Sequence, residues 1–257
     1  MRRPFLLLTV LVVLAISASL GGLIVATPPP ALVASLASPE IRFSVLLSLV
    51  TSIASTGVCL LLAVPIAYAL ARYQFPAKRL ATLILTLPLT MPPLVAGIAL
   101  LLFFGTTPWG RALEQAGVAV VFTPLGIIIA EVFVNLPYLI RILRSAFSSV
   151  NPRFEYVAKT LGCTDAGAFL QVTLPMARPA LVAGGIITWS KAMGEFGAVL
   201  MLAGATPMRT ETLPIALFLN ISTGDLNLAV AAATVLILIS LITLCAVEVM
   251  DRGVNVF

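Results

Sequence analysis

The sequence predicts an all-α integral membrane protein with six transmembrane helices and both termini on the cytoplasmic side. Three observations carry this reading. Of 257 residues, 60% are hydrophobic and 10% charged, with a mean hydropathy of +1.13, whereas soluble domains are closer to half apolar and a quarter charged. The apolar residues gather into six runs. Each has roughly the twenty residues that cross a hydrocarbon core of about 30 Å at about 1.5 Å per helical residue. Finally, lysine and arginine are divided very unevenly between the loops that join the runs.

The runs cover about 5–25, 44–71, 80–104, 121–143, 180–203 and 227–249. The first, MRRPFLLLTVLVVLAISASL, resembles a secretory signal, with two arginines before an apolar stretch. That stretch exceeds the roughly seven to fifteen residues of a signal core, and further spans follow, so an uncleaved span is expected. The segment 27–30, TPPP, reads as a stiff exit from it and lies in no PxxP ligand pattern. In the third run Pro88, Pro92, Pro93 and Gly97 interrupt the helix. The bend either shapes a pathway or its gate, or is a packing kink. In the fifth run Gly184, Gly185, Gly194 and Gly197 form a small-residue face suited to close helix approach, at a subunit interface or within one chain.

Three ionisable residues, Glu131, Lys191 and Glu195, fall inside the runs. Charges there are costly and usually face an interior or a water path. Lys191 and Glu195, four apart on one expected helix, share a face. They mark either a polar path between two subunits or a structural ion pair, and Lys191 is near enough the inner end to snorkel.

With the N-terminus inside, Arg2, Arg3, Arg72, Lys78, Arg79, Arg141, Arg144, Arg153, Lys159, Arg178 and Arg252 lie on the cytoplasmic side, against Arg42, Arg111 and Arg209 outside. The outer loops, Thr27–Phe43, Gly105–Val120 and Gly204–Leu226, are too short for a separate domain. No linker or repeat divides the chain, so residues 1–257 are read as one transmembrane domain.

The largest inner loop, Asn151–Pro179, is a polar island between spans. It reads as a helix from Pro152 to about Leu161, ended by Gly162 in a left-handed conformation. A second helix is expected from an N-capping Asp165 to about Val172, broken by Pro175 and Pro179. The plain alternative is an amphipathic loop lying on lipid headgroups.

Several chemistries are excluded. The chain has no histidine, which removes the commonest catalytic base and metal ligand. Cys59, Cys163 and Cys245 are widely spaced and read as inert. There is no G-x-x-x-x-G-K-[ST] phosphate loop, no G-x-S-x-G elbow and no H-E-x-x-H helix. Ser190 and Lys191 are adjacent and so point about 100° apart on a helix, which does not make a working dyad. No catalytic residue, metal site or bound cofactor is expected. The net charge of +5 hugs the span ends and points to topology rather than nucleic acid.

The loop resembles the cytoplasmic motif of ABC importer permeases, E-A-A, three residues, G, nine residues, I, one residue, L-P. Here Tyr156, Val157, Ala158, Gly162, Val172, Leu174 and Pro175 occupy its positions. Two residues depart from it: Tyr156 stands for the Glu and Val157 for an Ala, and the nearest acid, Glu155, is one place early. The segments LPLTMPPLVAGIALLLFFG, GEFGAVLMLAG and RTETLPIALFLNISTGD are similar to permeases of molybdate, tungstate and sulfate importers, the short last two looking more like molybdate or tungstate.

That resemblance implies a type I importer permease in a prokaryotic cell membrane. It also implies a homodimeric pathway in lipid, a separate cytoplasmic ATPase carrying ATP and magnesium, and an extracytoplasmic oxyanion-binding protein. Glu155 to Ala158, Gly162, Val172, Leu174 and Pro175 would couple to the ATPase. Pro92, Pro93, Glu131, Lys191, Glu195, Phe196 and Gly197 would be pathway or gate candidates. Rival readings are a sulfate or thiosulfate permease, a gradient-driven channel or secondary transporter, an intramembrane enzyme, and a membrane scaffold. The channel has no use for the Gly162…Leu174-Pro175 spacing, and the enzyme lacks a nucleophile and base.

Overall fold

The computed structural model describes residues 2–25 and 28–251, and every regular element among them is helical. Four helices are long and apolar enough to cross a membrane: Pro4–Leu23 within α1 (Arg2–Val25), α3 (Pro39–Arg72), α7 (Pro124–Ser149), and Leu226–Glu248 within α14 (Leu226–Asp251). Their starts follow local rules. Ser38 and Thr123 cap α3 and α7 by accepting from Ile41 N and Gly126 N, and a proline follows each cap where its missing N–H costs nothing.

The polarity of α3 is turned inside out. Ser44, Ser48, Ser52 and Ser55 are buried while Leu46, Ile53 and Leu61 are exposed. In lipid, apolar side chains need no burial. Ser44, Ser52 and Ser55 donate to carbonyls of their own helix, and Ser48 Oγ accepts from Leu213 N across the bundle at 2.8 Å. Helix α3 packs along α7 in the same direction, with Thr51 meeting Glu131 and, farther along, Arg72 meeting Val150. Helix α11 (Arg178–Met193) runs against both. A Cβ on its Gly184 would touch Leu139, and one on Gly185 would touch Leu60.

Two expected spans are broken. The third divides into α4 (Lys78–Thr86) with a 3₁₀ turn Leu87–Leu89, then α5 (Pro93–Thr106), bent by 110°. Pro92 and Pro93 donate no N–H, and a proline disfavours helix in the residue before it, so the ladder stops there. The fifth stops at Met193 and resumes as α12 (Gly197–Ala203). The connections expected outside carry the short helices α2 (Pro29–Leu36), α6 (Pro108–Gln115) and α13 (Leu213–Thr223). Pro29 and Pro30 of the TPPP run open α2, while Thr27 lies outside the described residues, as does Arg252.

Candidate functional site

The polar loop folds as two short helical arms on the end of the bundle. The first, α8 (Pro152–Thr160), is capped by Asn151, whose Oδ1 accepts from Arg153 N at 3.0 Å. It ends at Gly162, φ +95°, as expected. The Gly162 N–H donates to the Lys159 carbonyl and the Cys163 N–H to the Ala158 carbonyl, each at 3.0 Å, the paired bonds of a Schellman turn. Lys159 and Asp165 pair across it.

The second arm differs from expectation. Thr164, not Asp165, is the cap, its hydroxyl accepting from Gly167 N at 3.0 Å. Pro175 does not break the arm. The chain stays helical over Asp165–Met176 as α9 (Asp165–Ala168), a π-helical turn Phe169–Thr173 and α10 (Leu174–Met176), and bends by 70° only before α11. Pro175 sits in the first turn of α10, where its missing N–H is least costly, because the wider π turn has already shifted the ladder.

Glu155 joins the loop to the bundle. Its Oε1 accepts from Arg72 Nε at 2.8 Å and from Thr173 Oγ1 at 2.5 Å, and its Oε2 accepts from Tyr68 Oη at 3.0 Å. Arg72 also donates through Nη2 to the Val150 carbonyl at 2.8 Å. One carboxylate therefore ties the end of α3, the end of α7 and both arms together. Burial pushes the Glu155 carboxyl up, but the bonds from Thr173, Arg72 and Tyr68 and the Arg72 charge outweigh it and hold it below the ordinary carboxylate range. Beneath the latch the Tyr68 ring packs on Phe169 at 4.5 Å and Phe147 at 6.0 Å between centroids.

The opposite side of the loop is open, with Lys159 Nζ over the Tyr156 ring at 5.9 Å from its centre. Tyr156 is 64% and Leu161 81% exposed, with Phe154 and Val157 half-exposed beside them. Ala158, Val172 and Leu174 are half-buried and Pro175 is exposed. The motif residues thus form one knob, latched below and apolar above. Arg72, Tyr68 and Thr173 were not visible in the sequence as parts of it. The one hint was Glu155 itself, the sole acid beside a motif that lacks its own.

The residues proposed for a pathway fall into three places. Pro92 and Pro93 open α5 against the start of α12, where a Cβ on Gly197 would lie 2.9 Å from Pro93 Cβ. Phe196 faces Phe218 at 5.5 Å, and Glu195 Oε1 accepts from Ala198 N at 3.1 Å, so that Glu195 caps α12. Lys191 stands apart. Gly194 ends α11, so Lys191 and Glu195 do not share a helix, and no ion pair joins them among the described residues. Lys191 Nζ instead lies 5.3 Å from the Tyr138 ring centre. Glu131 is 1% exposed between α3 and α7, accepting from Thr51 Oγ1 at 3.1 Å.

Comparison with known proteins decides the family. Residues 60–256 match the binding-protein-dependent transport system inner membrane components. The chain belongs to this family of ABC importer permeases. Among its relatives, the molybdenum transport system permease protein ModB of Mycobacterium tuberculosis is 38% identical over 83% of this chain and 81% of its own. The sulfate transport system permease protein CysT of Salmonella typhimurium is 33% identical over 72% and 67%. A bacterial alginate ABC transporter, solved with an alginate pentasaccharide-bound periplasmic protein, shares the permease fold at TM-score 0.72 and 18% identity, covering 99% and 96% of the two chains. The chain is thus an inner-membrane importer permease, and the gradient-driven alternative is set aside.

Proposed function

We propose that this permease carries a tetrahedral divalent oxyanion, molybdate or tungstate, into the cell, and that the latched loop receives the stroke of a separate ATPase. The observation that carries the coupling role is the Glu155–Arg72–Thr173–Tyr68 latch under an apolar, solvent-facing knob. A force applied to Tyr156, Val157 or Leu161 passes through one carboxylate into α3 and α7. The 38% identity to a molybdenum permease supports the substrate, and the 33% identity to a sulfate permease keeps sulfate as the alternative.

In this reading the loop faces the cytoplasm with both chain ends, and each broken run counts as one crossing, for six in all. Two copies enclose the path within lipid, and an extracytoplasmic binding protein delivers the anion. ATP and magnesium belong to the ATPase, and this chain performs no covalent step and contacts no nucleic acid. ATP binding acts by favouring one of two conformations of the dimer.

The test is uptake by vesicles holding this chain with its ATPase and binding protein, using labelled molybdate, tungstate and sulfate with and without ATP. ATP-dependent uptake, with molybdate or tungstate competing best, is expected. Preferred uptake of sulfate would move the chain to the alternative, and uptake indifferent to ATP would overturn the coupling role.

A further inference from the structure

Lys191 makes no ion pair among the described residues; Glu195 lies within electrostatic reach of it without contact. The two ion pairs among the described residues are Arg72–Glu155 and Lys159–Asp165. Lys191 lies thirteen residues into α11 and Tyr138 eleven before the end of α7. At the helical rise those counts place the two residues about 16–20 Å from the loop ends of their helices. The Lys191 side chain is exposed on the surface of the single chain. A charge within a spanning run usually faces an interior or a water path rather than lipid.

The contact with Tyr138 suits a transit site. The Tyr138 ring holds the ammonium in place without neutralising it, and a doubly charged anion is a far stronger partner than a π face. Arg141 follows three residues along α7 toward the loop end, on the same side of the helix and exposed. Its planar fork matches the edge of a tetrahedral oxyanion. One turn farther, Arg144 joins Lys78 and Arg79 around an open cleft of about 550 Å³. The single acid of α7, Glu131, is sealed against α3, and the carboxylate nearest Lys191, Glu195, is turned to accept from Ala198 N.

We propose that Lys191 and Arg141 are successive anion-binding steps of the translocation path, with Tyr138 positioning Lys191 between passages. This inference rests on the oxyanion-importer reading. It is tested in proteoliposomes containing the full complex, comparing wild type with Lys191→Gln, Lys191→Arg and Arg141→Gln for labelled molybdate uptake and for ATP hydrolysis stimulated by loaded binding protein. Losing one charged contact to the anion should lower uptake on the order of tenfold in either Gln variant. Stimulated hydrolysis should persist, and Lys191→Arg should retain most uptake. A Lys191→Gln or Arg141→Gln complex with wild-type uptake would overturn the proposal and leave the importer reading intact. So would uptake and hydrolysis falling together, which marks a structural role. A wild-type complex that moves no oxyanion would overturn both.

Discussion

Arg72 and Glu155 are 83 residues apart in sequence and 2.8 Å apart in the fold, joined as an ion pair with side chains 10% and 7% exposed. The pair links the last turn of a spanning helix to the first turn of the loop helix. Removing one partner leaves the other's charge unpaired, which costs about 3–5 kcal/mol at a well-buried site. We expect Glu155→Ala and Arg72→Ala each to destabilise the protein within that range, and Arg72→Met with Glu155→Leu to recover much of the loss. Thermal unfolding in detergent checks this. Single variants as stable as wild type would show that the latch is slack.

The same carboxylate makes the latch acid-sensitive. The folded Glu155 is held below its ordinary value. Its contribution is therefore fully present above about pH 4.3, the unfolded value, and is lost as pH falls through the lower folded value. Amide exchange in the loop should stay slow from neutral pH to about 4.3 and accelerate below it. Loosening centred above pH 5 would point to another group.

Gly162 should tolerate no proline. At φ +95° it lies beyond the ring's range near −65°, and its N–H is used on Lys159. Gly162→Pro should leave the protein inserted and abolish ATP-driven uptake, as should replacement of Leu174 and Pro175. Normal ATP-dependent uptake by these variants would remove the turn from the mechanism.

Close packing at the two helix starts gives a contrast between glycines. A Cβ on Gly197 would sit 2.9 Å from Pro93 Cβ, and one on Gly97 would sit 2.7 Å from Met201 Cβ, whereas nothing lies within 4 Å of Gly57. Overpacking typically costs about 1–3 kcal/mol, so Gly197→Ala and Gly97→Ala should lower thermal stability. Gly57→Ala, in the open on α3, should be neutral or stabilising by about 0.4–1 kcal/mol. Equal effects at the three positions would contradict the close approach of α5 and α12.

Much of this was readable in the sequence because it depends on neighbours along the chain. The apolar runs mark α1, α3, α7 and α14, and Gly162 marks its own left-handed turn. What depended on partners far away was not readable. Spacing placed Lys191 and Glu195 on one helix, but Gly194 ends it and Glu195 turns to cap α12. Pro175 looked like a breaker because the π turn before it has no sequence signature. Glu155 looked like a displaced motif residue, since its three partners come from α3 and the far side of the loop.

The most direct test of the latch as a transmission element is the number of ATP molecules hydrolysed per oxyanion imported, measured in proteoliposomes for wild type and Glu155→Ala at matched assembly. The account predicts that Glu155→Ala keeps hydrolysing ATP while uptake per ATP falls on the order of tenfold, the scale of a typical coupling free energy between sites. An unchanged ratio in a folded, fully assembled Glu155→Ala complex would contradict it.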